Sequence, residues 1–242
     1  IAIIIIKHGD TSIETFGNLF GNGNINLNRW SDLVSIVAII AAMNALNMSD
    51  GIHGLAGGGS LITLIAILYL SFGNSHQDLI LIVLIFCSVL PIFLINNICI
   101  GVSVSRRIFM GDAGSMLLGL IIAWALIKFS QGDTRQFNPV TALWLFAVPV
   151  IEITASIGRR LTSGKSPFKP DLFHSHHLLM RIGFNEKSTL LIMIGFSFFM
   201  AIIGVIGEVF EISEWVMFIG FISIFVFHIS CGRYLYYKYH SK

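Results

Sequence analysis

The sequence predicts an all-α protein: one polytopic bundle of about seven membrane-spanning helices that occupies residues 1–242 as a single domain. Hydrophobic residues make up 55% of the chain and charged residues only 12%, and the mean hydropathy is +0.82. A soluble domain carries about 25% charged residues because its surface must be hydrated, so this composition favours a lipid-facing exterior. The formal net charge of +2 is too small to favour a nucleic-acid partner.

The apolar residues form seven runs with lengths suited to spanning helices, roughly 31–48, 54–72, 79–98, 115–129, 139–157, 188–206 and 215–232. A helix crosses the bilayer core in about 20 residues. Helices are favoured over barrel strands because the runs are too long for strands and because lipid leaves backbone groups without partners. A shorter apolar run at residues 1–6 is interpreted as the end of a span whose beginning is missing.

The basic residues predict which loops face the cytoplasm. If the loop at residues 7–30 lies outside, 11 of the 15 lysines and arginines fall in the inside regions 49–53, 99–114, 158–187 and the tail from 233. Cytoplasmic loops of membrane proteins carry such an excess of positive charge. The unusual polar residues lie in or beside these same loops, so the chemistry is predicted on the cytoplasmic side.

The first polar motif lies at the inner end of a span and continues into a glycine-rich stretch, residues 51–59. Asn44 and Asn47 are three residues apart and share a helix face, and Asp50 and His53 follow at the same spacing. Glycines allow a ligand to approach the backbone N–H groups, and amide and carboxylate oxygens suit magnesium. The alternative is a polar helix end followed by a flexible connector.

The second motif surrounds Asp112, which lies between Gly111 and Gly114 where an apolar helix begins. Arg107 and the preceding Arg106 favour a phosphate site beside this carboxylate. Two simpler explanations stay open: Asp112 could serve as a helix N-cap, and the arginines could serve only to orient the protein in the membrane.

The third motif occupies the longest predicted cytoplasmic loop, where His174, His176, His177 and Arg181 lie within eight residues. Histidine and arginine side chains can donate hydrogen bonds to several phosphate oxygens at once, which favours diphosphate binding. A zinc site and a solvated surface loop are the alternatives.

Glu152 lies inside the predicted span 139–157. Carboxylates within membrane helices are functional candidates, because an unpaired charge is costly there. The alternative is a structural pairing of Glu152 with Arg159 or Arg160 further along the same helix.

In this order, the motifs resemble the polyprenyl-phosphate N-acetylhexosamine-1-phosphate transferases, a glycosyltransferase family, and most closely its bacterial GlcNAc branch. The resemblance runs over about residues 30–215 and rests on residues 44–59, 109–119, 139–160 and 167–184. It implies transfer of GlcNAc-1-phosphate from UDP-GlcNAc to undecaprenyl phosphate at the bacterial inner membrane, with release of UMP. Such a reaction starts lipid-linked cell-surface polysaccharides such as O-antigen and enterobacterial common antigen.

The resemblance also implies roles for individual residues. Asn47 and Asp112 would bind Mg²⁺, with Mn²⁺ as the alternative ion. Asp50 and Asp112 would be the catalytic carboxylates. The partners would be a UDP-N-acetylhexosamine, a polyprenyl phosphate and membrane lipid, and a homodimer is an option. The substrate would be contacted by Asn44, His53, Arg107, His174, His176, His177 and Arg181.

Three departures from the family pattern qualify this expectation. His53 replaces an acid or amide, Leu172 replaces a common arginine, and the family's earlier Asp-Asp-x-x-Asp motif does not occur in this sequence. We therefore expect an N-terminally truncated enzyme that is inactive or nearly so by itself. The alternatives are the related phospho-MurNAc-pentapeptide transferases, a non-catalytic membrane protein and a transporter.

Overall fold

The computed structural model describes residues 2–3, 6, 11–72, 77–98, 107–162, 164, 166 and 174–240. In these residues the fold is all-α, and β pairing is limited to an isolated antiparallel bridge between Thr15 and Asn26. The helices are α1 (Ser31–Ser49), α2 (Leu55–Ser71), α3 (Gln77–Asn97), α4 (Gly111–Ser130), α5 (Pro139–Leu145), α6 (Ala147–Thr162), α7 (Ser175–Arg181), α8 (Glu186–Val209) and α9 (Glu214–His240).

The predicted bundle of membrane helices is confirmed, and the structure revises the number of spans. In the described part of the chain, α3, α4, α8, most of α9, and α1 with the 3₁₀ turn before it are long and apolar enough to cross a membrane. The α5–α6 pair would make six, while α2 is shorter, at 17 residues. The chain is therefore a multi-pass membrane protein, and its described residues contain five or six candidate spans, so the predicted number of seven is approximate.

The span predicted over residues 139–157 is broken in the structure, where α5 and α6 meet at an angle of 87°. Phe146 at the junction leaves the helical region, with φ −114° and ψ 27°. Pro149 has no N–H to donate to the Leu145 carbonyl four residues earlier. The Thr63 hydroxyl of α2 donates to that carbonyl instead, at 2.8 Å. A neighbouring helix thus satisfies the group that the break exposes.

Helices α1 and α4 pack closely and antiparallel, and their contact positions two of the polar motifs. A Cβ atom at position 119 would stand 2.7 Å from the Met43 Cα and 2.9 Å from the Ala42 carbonyl oxygen, so only glycine permits this approach. Fully buried Ile39 and Ile122 belong to the core that surrounds the contact. The end of α1 therefore lies beside the beginning of α4.

The bundle has two ends that differ in their polar groups. At one, which we name the Asp50 end, the described segments 49–54, 107–111 and 174–185, the last of which contains α7, come together. At the other, the Gln131 end, the side-chain oxygen of Gln131 accepts hydrogen bonds from the backbone N–H groups of Glu14 and Thr15, both at 3.0 Å. The grouping of the loops agrees with the predicted alternation of spans. That the Asp50 end faces the cytoplasm stays a prediction.

Candidate functional site

Asp50, directly after α1, connects the first two motifs. Its carboxylate accepts a hydrogen bond from the Gly111 backbone N–H, and His53 and Asp112 both lie within electrostatic range. Burial raises the pKa of the Asp50 carboxyl above its ordinary value; the Gly111 hydrogen bond and His53 act against that rise, and Asp112 adds to it. A cation is favoured where two carboxylates lie close enough to repel each other.

Asn47 and Asp112 lie on facing helices at this end. The buried Ser115 hydroxyl donates to the Asn47 side-chain oxygen, at 2.8 Å. Asp112 is exposed in the first turn of α4. The N-cap of α4 is Met110, so Asp112 does not cap the helix. The carboxylate is left accessible from solvent.

Asn44, which was predicted to act with the rest of the first motif, has no recorded contact with it in the described residues. Its side chain is exposed, and its amide donates to the Ile40 carbonyl of the same helix, at 2.9 Å. The contact that the structure records for this side chain is therefore local. His53 does join two motifs, because its ring lies 5.1 Å from the Phe109 ring in an edge-on arrangement.

The histidine motif contacts residues 49–54, which we name the Asp50 loop, through His176. A Cβ atom at position 51 would stand 3.1 Å from the His176 Nε2, so the imidazole lies directly against Gly51. His176 is buried, and its pKa is lowered to about 4. Burial is the largest cause, His177 and His174 also lower the pKa, and Glu152 opposes them. At neutral pH His176 is therefore an uncharged imidazole.

The remaining members of the histidine motif differ in their surroundings. His174 is buried, with its Nδ1 3.3 Å from a Glu152 carboxylate oxygen, so it contacts the protein interior. His177 lies 4.1 Å from His176 between ring centres and is partly exposed, and Arg181 is exposed at the end of α7. No group of three or more His, Cys, Asp or Glu that could hold a metal is found in the described residues, which does not support the zinc alternative.

Part of the predicted site lies outside the described residues. This applies to Arg106 and to residues 167–173, which include Asp171 and Leu172. Arg107 is described and is partly buried just before the second motif.

The glycines after Asp50 have a different role from the predicted one. Gly57, Gly58 and Gly59 belong to α2 and do not form an open loop. Added Cβ atoms at Gly57 and Gly58 would stand 3.1 Å from Leu94 and 2.7 Å from Ile194 side chains. These glycines therefore let α3 and α8 pack against α2. Their expected exposure to anions is wrong.

Sequence reasoning missed Asn97, which holds the Asp50 loop in place. This residue is 2% exposed at the end of α3. Its side-chain oxygen accepts from the Gly54 N–H at 2.6 Å, and its amide donates to the Ile108 carbonyl at 2.7 Å. Gly54 has a left-handed backbone, with φ +87°. The sequence feature that could have identified Asn97 is an amide side chain at the end of an otherwise apolar run.

The oxygen donors at the Asp50 end fit a magnesium ion. Asn47 supplies an amide oxygen, and Asp50 and Asp112 supply carboxylates that are close enough to repel each other. Mg²⁺ is commonly bound by one or two carboxylates, several waters and substrate phosphates. This small set of hard ligands is of the kind such an ion requires.

Comparisons with known proteins show the family of the chain. The family model described as glycosyl transferase family 4 matches residues 1–130. Proteins named undecaprenyl-phosphate alpha-N-acetylglucosaminyl 1-phosphate transferase are similar to the chain. The one from Escherichia coli (strain K12) is 36% identical over 96% of this chain and 63% of its own length. Those from Haemophilus influenzae and Yersinia pestis are 38% identical, over 95% and 90% of this chain and 64% and 60% of their own lengths.

Proposed function

We propose that this chain, which belongs to glycosyl transferase family 4, works in the transfer of N-acetylglucosamine-1-phosphate from UDP-GlcNAc to undecaprenyl phosphate. The relatives bear the name of that transferase. The chain spans about 60–64% of their length, so the activity is proposed for the full-length gene product.

One observation carries the proposal: three motifs that are far apart in sequence meet at one end of the bundle. Asp50 meets Gly111 and Asp112, and Gly51 meets His176. A site for a nucleotide diphosphate sugar needs oxygen ligands for a cation beside hydrogen-bond donors for the phosphates. The meeting of these motifs supplies both within one surface.

In the proposed reaction an oxygen of undecaprenyl phosphate bonds to the β-phosphorus of UDP-GlcNAc, and the bond from that phosphorus to UMP breaks. The products are a lipid-linked diphosphate sugar and UMP. Asn47, Asp50 and Asp112 would hold Mg²⁺, which when bound would neutralise charge on the diphosphate. His177 and Arg181 would donate to phosphate oxygens, and neutral His176 would donate one hydrogen bond without adding charge.

We place the Asp50 end on the cytoplasmic face of a bacterial inner membrane. The support is the 11 of 15 basic residues that fall in the loops predicted inside. The nucleotide sugar would enter from this face, and the lipid acceptor would enter from the bilayer.

The test is UMP release by the full-length protein in membrane vesicles with undecaprenyl phosphate, UDP-GlcNAc and Mg²⁺. Inverted vesicles should release UMP and right-side-out vesicles should not, because the site faces the cytoplasm. Asp112→Asn should lower the rate by about 100-fold, since a charge that stabilises the transition state is lost.

Asp133→Asn is the matched control, because Asp133 is an exposed carboxylate at the Gln131 end. Its rate should equal that of the unchanged protein. An inactive unchanged protein, or equal rates for the Asp112 and Asp133 variants, would refute the proposal. Turnover with UDP-MurNAc-pentapeptide in place of UDP-GlcNAc would assign the chain to the other branch.

A further inference from the structure

A buried cluster joins the histidine motif to α6, which bears the candidate Glu152, and to α9, for which the sequence predicted no site residue. It consists of Glu152 on α6, His174 and Ser175 at the start of α7, and His228 on α9, and we name it the Glu152 cluster. Glu152 is only 6% exposed. Its carboxylate lies 3.3 Å from the His174 Nδ1 and 3.4 Å from the His228 Nε2. The Ser175 N–H also donates to it, at 3.2 Å.

The hydrogen bonds of Ser175 indicate that the cluster holds a structure and does not activate a nucleophile. The Ser175 hydroxyl donates to the Glu152 carboxylate. With that proton committed, the hydroxyl oxygen accepts from the His228 Nε2, at 2.9 Å. A serine nucleophile would instead give its proton to the histidine. The ring of His228 is itself held by Phe196 of α8, which is parallel to it at 6.0 Å.

The cluster is connected to the Asp50 end by stacked imidazoles. His174 stacks on His176 with ring centres 5.7 Å apart and planes within 9°, and His176 lies against Gly51. Helix α7 has only seven residues, and so short a helix is not stable by itself. Its position therefore depends on tertiary contacts, among which the Glu152 cluster supplies hydrogen bonds.

We propose that Glu152 and His228 are positioning residues, which fix α7 so that His176 and His177 face the Asp50 loop. This inference rests on the proposed function, because it assumes that the fixed position of α7 serves to bind the sugar nucleotide. Through His228, the last span, α9, becomes a determinant of that binding.

The kinetic test compares Glu152→Gln, His228→Asn and Ser230→Ala in the full-length protein. Ser230 is the matched control, because it lies two residues from His228 and its hydroxyl donates to the Val226 carbonyl of its own helix. Glu152→Gln should raise the KM for UDP-GlcNAc by about 10-fold, since hydrogen bonds to a charged group are lost. His228→Asn should raise it by about 3-fold.

The KM for undecaprenyl phosphate should stay unchanged in these variants. A general loss of folded protein would not raise the KM for UDP-GlcNAc alone. Ser230→Ala should leave both KM values unchanged. If Glu152→Gln does not fold, His228→Asn still decides the result, because the His228 side chain is 23% exposed and its replacement is milder. Unchanged KM values in both cluster variants, or an equal change in Ser230→Ala, would overturn the proposal.

A second measurement needs no activity. Trypsin cleavage after Arg181, the exposed last residue of α7, should be faster in Glu152→Gln and His228→Asn than in Ser230→Ala, as followed by mass spectrometry. Equal cleavage rates would overturn the positioning role even if the unchanged protein released no UMP. An inactive protein with faster cleavage in the cluster variants would instead contradict only the proposed function.

Discussion

Asp112 and Glu208 are both carboxylates at helix ends, yet the protein surrounds them in opposite ways. Glu208, at the Gln131 end, accepts hydrogen bonds from the Asn138 N–H at 2.9 Å, the Asn138 amide at 3.1 Å and the Thr141 hydroxyl at 2.5 Å. Asp112, at the Asp50 end, is exposed. A carboxylate whose lone pairs are taken by protein donors holds structure, whereas an accessible one can bind a ligand.

Glu152 lies at the same end as Asp112 but resembles Glu208 in its surroundings. Its oxygens contact Ser175 and two histidines within the protein. Location near the site is therefore a poor guide to role, and saturation by protein donors is a better one. By this criterion Glu152 supports the site without binding the ligand.

Replacing Glu208 should lower the stability of the protein. Glu208→Ala should lower the free energy of unfolding by about 3 kcal/mol, because the Asn138 and Thr141 donors at the start of α5 lose their acceptor. Glu211→Ala is the control, since Glu211 is exposed three residues away. Thermal unfolding in detergent measures both. Equal stability of the two variants would contradict the assignment of Glu208 to structure.

The fold and the candidate site could be predicted from the sequence only in part. Runs of apolar residues predicted the helices, and the basic residues predicted that the polar motifs share one side of the membrane. The family resemblance implied that Asp50, Asp112 and the histidines belong to one site. The bend at Phe146 was missed because Pro149 alone does not distinguish a straight span from a broken one. Thr63, which satisfies the Leu145 carbonyl at the break, is 82 residues away in sequence. His228 was missed for a similar reason: its partners Ser175 and Glu152 lie on other helices.

His176 should make a smaller contribution to the free energy of unfolding, and this contribution depends on pH. Its pKa in the folded protein is about 4, against an ordinary value of 6.5, so the unfolded chain binds a proton more readily. This contribution to stability is complete above pH 6.5 and is lost as the pH falls toward 4. At pH 5 the loss should be about 2 kcal/mol.

The measurement is thermal unfolding from pH 7.5 to pH 5 for the unchanged protein and for His176→Asn. The variant lacks the titrating imidazole, so its stability should fall less steeply over that range. Identical slopes would contradict the burial of a neutral His176 against Gly51.

Binding of Mn²⁺ in place of Mg²⁺, followed by electron paramagnetic resonance on the full-length protein with UDP-GlcNAc present, tests the convergence at the Asp50 end most directly. The unchanged protein and Asp133→Asn should bind the ion equally. Asp50→Asn and Asp112→Asn should each weaken binding by at least about 10-fold, because each removes a carboxylate ligand. Equal Mn²⁺ binding by all four proteins would contradict a shared cation site formed by these two carboxylates.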